Sequence, residues 1–284
     1  VRPWLERRVI AFAHQGGSFE GPSSTLYAID QALRAGAHAI ELDVHATKDR
    51  HLVVCHDETV DRTTNHVGAI AQLTLSELRE MDNAYWWVEG DTVTPGLPDE
   101  AYPLRGRAPV ERSLGVVTLE EVVRAFPGVL LNLDVKQSDP DVEPYEALLV
   151  DELTRLGRRD SVIVASFHDG AIQRVRALAS DVATSAATNE TAEFFFSLGD
   201  AQPRVPPAVA FQVPNYFGEV EVVTPHFVEV AHAHGVAVHV WTINEALEMH
   251  RLLDLGVDGL ISDRPRVLAE VLASRDVSWN GVLG

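Results

Sequence analysis

Residues Ala39-Ile40-Glu41-Leu42-Asp43-Val44 alternate aliphatic and acidic side chains, and Leu130-Leu131-Asn132-Leu133-Asp134-Val135-Lys136 repeats the pattern farther along. Successive side chains of an extended strand point to opposite faces, so Ile40, Leu42 and Val44 share one face and Glu41 and Asp43 the other. By the same parity Leu131, Leu133 and Val135 pack one way, while Asn132, Asp134 and Lys136 project the other way. Around these two runs, β-rich stretches at 9–13, 37–44, 129–135, 161–165, 182–186, 208–213, 236–241 and 256–261 alternate with amphipathic segments at 24–35, 142–156, 170–178, 225–234, 244–255 and 265–274. That rhythm predicts an α/β fold with a parallel sheet. Eight strands in 284 residues suit one (β/α)8 TIM barrel, whose usual length is about 250 residues. A strand-like run at 52–55 leaves the strand count open by one.

Local chemistry marks the helix ends. Thr74-Leu-Ser-Glu77 and Thr118-Leu-Glu-Glu121 fit capping boxes, Pro225 and Pro265 suit a first helical turn, and Gly36, Gly157 and Gly235 follow helices as stops. No Gly- or Ser-rich linker divides the chain. One stretch, at about 83–116, breaks the rhythm with Pro95, Pro98, Pro103 and Pro109. It reads as an insertion between barrel units, so residues 1–284 are expected to form a single domain with one insertion.

Composition excludes several classes. The net charge of −19, from 23 basic and 42 acidic residues, repels phosphate backbones and argues against nucleic acid as a partner. No apolar run reaches the roughly 18 residues of a membrane span. The expectation is a soluble protein, cytoplasmic or exported after loss of a leader ahead of Val1; oligomeric state has no signal here. The single cysteine, Cys55, rules out an internal disulfide or a multi-cysteine zinc site and reads as a buried structural thiol.

In a barrel both faces of a strand are covered, so Glu41, Asp43 and Asp134 point inward. Buried anions a few ångströms apart repel unless a proton or cation lies between them. Three such carboxylates make an oxygen-rich site for a hard divalent cation, Mg2+ or Ca2+. A buried salt bridge to Lys136 explains one of the three. His14 follows the first strand and His56 follows the run at 52–55, both at strand ends, where barrels of this kind carry their chemistry. His38, His51, His66, His232 and His234 read as surface or packing residues. His45 shares the parity of Asp43. Trp241, at another strand end, is placed to wall a pocket.

His14-Gln15-Gly16, Glu41-Leu-Asp43, His56-Asp57, Asp134-Val-Lys136, Trp241-Thr-Ile-Asn244 and Asp258-Gly-Leu-Ile-Ser-Asp263 resemble, in order, the motifs of glycerophosphodiester phosphodiesterases. The resemblance implies a (β/α)8 fold and metal-dependent hydrolysis of glycerophosphodiesters to an alcohol and glycerol 3-phosphate. It implies one divalent cation held by Glu41, Asp43 and Asp134, an acid–base pair of His14 and His56, and a phosphate contact at Lys136. Gln15, the substrate-side residue next to His14, stands where the family usually has arginine. Pro22-Ser-Ser-Thr25 stands where it usually reads Pro-Glu-Asn-Thr, and Asp134 replaces the usual glutamate. The implied partner is a small-molecule or lipid-derived phosphodiester. A phospholipase D-type enzyme acting on lysophospholipid or sphingomyelin would use the same groups. A non-catalytic binding barrel would not need both histidines. The sequence lacks the Gly-x-Ser-x-Gly and His-Glu-x-x-His patterns of serine hydrolases and zinc peptidases.

Overall fold

The computed structural model describes residues 9–136 and 145–275. Eight parallel strands form the barrel: β1 (Ile10–His14), β2 (Ala39–Ala46), β5 (Leu130–Val135), β6 (Val162–Ala165), β7 (Ala183–Thr184), β8 (Ala210–Pro214), β11 (Ala237–Trp241) and β12 (Gly259–Ser262). Each of the eight expected runs supplies one. Their spatial order follows the chain, with β1 paired to both β2 and β12. Between β7 and β8 closure rests on one parallel bridge, Ser185 to Ala210, supported by Val209 N–H to Thr184 O and Ala186 N–H to Ala210 O, each at 2.9 Å.

The extra run is not a barrel strand. β3 (Leu52–Val54) pairs antiparallel with the overhanging end of β2, Val44 to Ala46, and carries β4 (Val117–Thr118) on its other edge. β2 has eight residues, long enough to serve the barrel with one end and this small sheet with the other. A short hairpin, β9 (Tyr216–Phe217) with β10 (Val220–Glu221), follows β8.

Helices α1 (Leu26–Ala35), α2 (Leu75–Arg79), α3 (Leu119–Ala125), α4 (Tyr145–Arg155), α5 (Asp169–Leu178), α6 (Thr188–Phe196), α7 (Pro225–Ala233), α8 (Ala246–Asp254) and α9 (Pro265–Ser274) connect the strands. Both expected capping boxes are formed, at Thr74 and Thr118. Of the helix expected at 142–156, residues 142–144 lie outside the described residues. α6 has no counterpart among the expected helices. Of its three phenylalanines, Phe194 is fully buried against Phe211 and Phe227, whereas Phe196 is 80% exposed.

The parity read from the sequence governs the core. Ile40, Leu42, Val44, Leu131, Leu133 and Val135 pack outward under the helices. Ile10, Phe12, Ala39, Leu130, Ile163 and Ile261 fill the barrel interior. Toward the carboxyl ends of the strands the interior turns polar, beginning with Asn132, Gln212 and His239. Gln212 Nε2 donates to Asn132 Oδ1 at 3.1 Å.

Residues 83–116 carry 3-10 turns at Asp99–Ala101 and Arg112–Leu114. Ala84, Trp87, Leu104, Ala108 and Leu114 form their own small cluster against Tyr27 of α1. Tyr85, Trp86 and Tyr102 surround the Arg105 guanidinium at 4.3, 4.7 and 3.5 Å. These aromatics hold the segment together. Cys55 is buried, and burial pushes its thiol up to about 12. Among the described residues, no helix is long and apolar enough to cross a membrane.

Candidate active site

β1 delivers His14 to the mouth of the barrel, and the chain then turns sharply. Gln15, Gly16 and Gly17 all have positive φ, at 52, 83 and 91°. Glycine adopts this region freely, but Gln15 does so at a cost of order 1–3 kcal/mol. Two contacts hold it there: its backbone N–H donates to Glu41 Oε2 at 3.1 Å, and Ser23 Oγ donates to its side-chain Oε1 at 2.6 Å. The tight turn is also sterically required, because a Cβ on Gly17 would lie 2.7 Å from Pro265 Cγ. With its oxygen occupied by Ser23, the Gln15 amide nitrogen lies 3.3 Å from His14 Nε2.

His14 Nδ1 donates to Asp263 Oδ1 at 2.6 Å, and Asp263 also accepts from Ser18 Oγ at 2.5 Å and Asn244 Nδ2 at 2.8 Å. Burial would raise the Asp263 carboxyl, but these hydrogen bonds and the histidine outweigh it and hold the group below its ordinary value. A charged carboxylate on Nδ1 leaves His14 Nε2 as the nitrogen presented to the mouth.

His56, two residues beyond β3, repeats the device. Its Nδ1 donates to Asp57 Oδ1 at 2.6 Å, and Arg62 grips Asp57 with Nε on Oδ2 at 2.6 Å and Nη2 on Oδ1 at 3.2 Å. Burial raises Asp57, yet His56 and Arg62 together hold it well below the carboxylate range. The His14 and His56 rings face each other edge to face, 6.4 Å between centroids. His45 lies beneath this pair, with Nε2 3.4 Å from the His56 carbonyl. Burial pushes it down to about 4, so it stays neutral. His38 and His232 serve structural contacts elsewhere: His38 Nδ1 accepts from Ala11 N–H at 3.0 Å and His232 Nε2 pairs with Asp258 at 2.7 Å.

Glu41, Asp43 and Asp134 are all buried. Lys136 Nζ lies 2.7 Å from Asp134 Oδ2 and 3.1 Å from Asp43 Oδ1, so the salt bridge takes two of the carboxylates rather than one. Burial lowers the lysine, but the two carboxylates outweigh it and raise it above its usual value. Burial, then Asp134, push Glu41 up to about 8; burial, then Glu41, push Asp43 up to about 7. With all three carboxylates ionised, the one ammonium would leave two negative charges uncompensated, and protons held by Glu41 and Asp43 relieve that charge when no cation is bound. Asp43 Oδ2 and Asp134 Oδ1 are buried with no hydrogen-bond partner among the described residues.

This donor set fits a hard dication in charge and in orphaned oxygens. Among the described residues, however, no three acidic, histidine or cysteine side chains are already drawn together as a ligand cluster. Lys136 stands between two of the three carboxylates, so its ammonium must give way for a cation to bind both.

Trp241 ends β11 half-buried. Its ring meets Phe167 edge to face at 5.7 Å, and Phe167 lies 5.3 Å from Lys136 Nζ. Asp57, Asp263 and Asn244 lay within motifs visible in the sequence, as did His14 and His56, but their hydrogen bonding to one another and the further partners Arg62 and Ser18 were not. Arg62, Ser18 and Phe167 carry no sequence signal that marks them, and Ser23 stood out only as part of Pro22-Ser-Ser-Thr25.

The Glycerophosphoryl diester phosphodiesterase family matches residues 14–267. A glycerophosphodiester phosphodiesterase of Bacillus subtilis is 31% identical over 272 residues, covering 93% of this chain and 86% of that enzyme. Among solved structures, the glycerophosphoryl diester phosphodiesterase domain of a Mycobacterium tuberculosis protein superimposes with a TM-score of 0.75 at 19% identity, covering 93% of this chain and 98% of that one. A phosphodiesterase from Oleispira antarctica, in complex with the product sn-glycerol-3-phosphate, gives a TM-score of 0.73 at 23% identity, covering 94% and 97% of the two chains.

Proposed function

The chain belongs to the glycerophosphoryl diester phosphodiesterase family, and from that premise we propose that it hydrolyses small glycerophosphodiesters to an alcohol and glycerol 3-phosphate with one divalent cation, Mg2+ or Ca2+. The observation that carries this reading is the facing pair His14 and His56, ring centroids 6.4 Å apart, beside three buried carboxylates, two of which, Asp43 and Asp134, share a single lysine. The glycerol 3-phosphate bound to the Oleispira antarctica relative supports the same product here.

Glu41, Asp43 and Asp134 would hold the cation, which when bound supplies Lewis acidity and charge neutralisation at a phosphoryl oxygen. Lys136, released from its carboxylates, stabilises the negative charge that grows as phosphorus becomes five-coordinate. Gln15 donates its amide N–H to the phosphoryl group from a position fixed by Ser23. One imidazole accepts the proton of the attacking oxygen, and the other gives a proton to the departing alkoxide. Each works through Nε2 because Asp263 or Asp57 occupies Nδ1. Trp241 walls the alcohol side.

The test is release of choline and glycerol 3-phosphate from glycerophosphocholine, with and without Mg2+ or Ca2+, by the wild-type protein and by His14→Ala. Metal-dependent release that the variant loses supports the proposal. Release that persists in EDTA removes the cation from the mechanism, and release that survives His14→Ala removes the paired-histidine chemistry.

A further inference from the structure

Asn83 opens the insertion and is 3% exposed. Its carboxamide bonds to two separate loops at once. Nδ2 donates to Ser23 O at 3.1 Å, in the loop of residues 15–25 that follows His14. Thr63 Oγ1, in the loop of residues 55–69 that carries His56, donates to Asn83 Oδ1 at 2.6 Å. A carbonyl oxygen only accepts, so the bond to Ser23 fixes which end of the amide faces which loop. Ser23 and Thr63 are buried as well. Breaking either bond would strand a buried polar group, a cost that keeps the bridge closed.

Both partners lead to the reacting groups. Ser23 Oγ donates to Gln15 Oε1 at 2.6 Å, and the Gln15 amide nitrogen lies 3.3 Å from His14 Nε2. Thr63 follows Arg62, whose guanidinium grips Asp57, and Asp57 accepts from His56 Nδ1. One side chain therefore joins two series of contacts that end on the two imidazoles.

The residues around Asn83 repeat the double attachment. Trp87 Nε1 donates to Ser18 O at 3.0 Å and Gly90 N–H to Phe19 O at 2.9 Å, both in the first loop. Trp86 Nε1 donates to Thr64 O at 3.0 Å and Asp82 N–H to Asn65 Oδ1 at 3.0 Å, both in the second. Ser18 is itself a partner of Asp263, which orients His14. β1 is paired with β2 and β12, and β3 with β2 and β4. The strands thus set the roots of the two loops through β2, and residues 82–90 tie the loops to each other farther out. An acid and a base that serve one phosphorus need a fixed separation, which two independently moving loops would not keep.

We infer that Asn83 is a positioning residue of the acid–base pair, whose carboxamide bridges the His14 and His56 loops and sets the separation and aim of the two imidazoles. The inference rests on the hydrolysis proposed above and adds to it a residue that touches neither substrate nor cation.

The test compares wild type, Asn83→Ala, Thr63→Val and the double variant. Thr63→Val keeps the side-chain shape and removes only the hydroxyl, so it reads the bridge if Asn83→Ala fails to fold. Two substrates separate positioning from general damage. Glycerophosphocholine needs a proton on its departing alkoxide, whereas the p-nitrophenyl ester of glycerol 3-phosphate releases a phenolate that needs none. Asn83→Ala should lower kcat about 30-fold on the first and only about threefold on the second, with KM little changed. Thr63→Val should cost about fivefold on the first, and the double variant no more than Asn83→Ala, because both changes cut the same bond.

A second readout needs no turnover. In EDTA and without substrate, the proton NMR signals of the imidazole Cε1–H groups of His14 and His56 should both shift in Asn83→Ala. Those of His38 and His232, whose contacts lie elsewhere, should stay in place.

Equal losses on both substrates, or movement of all four signals, overturn the inference, because Asn83 would then only support the fold. A shift of His14 or His56 alone also overturns it, since the bridge would not reach the other ring. Wild type inactive on both substrates, with His14 and His56 still moving together in the variant, removes the hydrolysis and leaves the bridge standing.

Discussion

His14 Nδ1 donates to Asp263 Oδ1 across 2.6 Å, although 249 positions separate the two residues in the chain. They meet because β1 and β12 are neighbours around the barrel, with Ala13 opposite Ser262. The final barrel strand therefore sets the orientation of a histidine carried by the first. Ser18 and Asn244 complete the shell around the same carboxylate, so the imidazole is held before any substrate arrives.

If that orientation serves proton transfer, Asp263→Asn should lower kcat for glycerophosphocholine by roughly 100-fold with little change in KM. His14→Ala should lower it by roughly 1000-fold. The double variant should lose no more than His14→Ala alone, since the carboxylate acts only through the ring. Steady-state kinetics on the four proteins checks this; independent, multiplying losses would separate Asp263 from His14.

Arg62 holds both oxygens of Asp57, which in turn holds His56. Arg62→Gln should leave His56 in place but loosen its partner, reducing kcat about tenfold. Arg62→Lys should recover little, because a point ammonium cannot span two oxygens as the guanidinium fork does. Wild-type kcat in Arg62→Gln would show that Asp57 needs no clamp.

The barrel and the floor of the site were legible for the same reason. In Ala39–Val44 and Leu130–Lys136, charged residues occupy alternate positions of otherwise aliphatic strands, and parity alone sends them inward. The run at 52–55 was visible as a strand but not as an antiparallel one, because so short a run carries no information about its partner strand. Nor could sequence report that Lys136 would bridge both Asp43 and Asp134. Strand parity places all three side chains inside without saying which ammonium–carboxylate distances result. Arg62 with Asp57, Ser23 with Gln15 and Phe167 with Lys136 depend on loop paths. No residue periodicity encodes those. α6 was missed because Thr188–Phe196 places polar residues first and three consecutive phenylalanines last, without the spacing of an amphipathic helix.

Gly259 offers a test of how tightly the interior is filled. A Cβ built there would lie 2.8 Å from Phe12 Cε2 and 2.8 Å from His239 Cδ2, two rings that themselves pack at 4.9 Å. Both neighbours are fully buried. Gly259→Ala should therefore destabilise the fold by about 1–3 kcal/mol, and adding Phe12→Leu should restore part of it. Urea denaturation of the single and double variants decides; a neutral Gly259→Ala would mean the rings can move apart freely.

The buried carboxylates make stability depend on both pH and metal, with a definite sign. Without a cation, Glu41 and Asp43 titrate at about 8 and about 7, above their unfolded values. The native state then holds protons that the unfolded chain has released. Stability gained from this is present at low pH and is lost as pH rises through 7 and 8. His45 and His239 act in the opposite sense, since burial pushes both down to about 4. Their contribution is lost as pH falls below the unfolded histidine value, so the window from roughly pH 6.5 to 8.5 isolates the carboxylates. In EDTA, unfolding free energy should fall across that window by an amount on the order of 2 kcal/mol. Saturating Mg2+ should flatten the decline, because a dication stabilises the charged carboxylates directly, and Asp43→Asn should reduce both the decline and the response to Mg2+. Chemical denaturation at several pH values, with and without Mg2+, is the measurement. A stability that rises with pH in EDTA, or one that Mg2+ leaves unchanged, would detach Glu41 and Asp43 from cation binding.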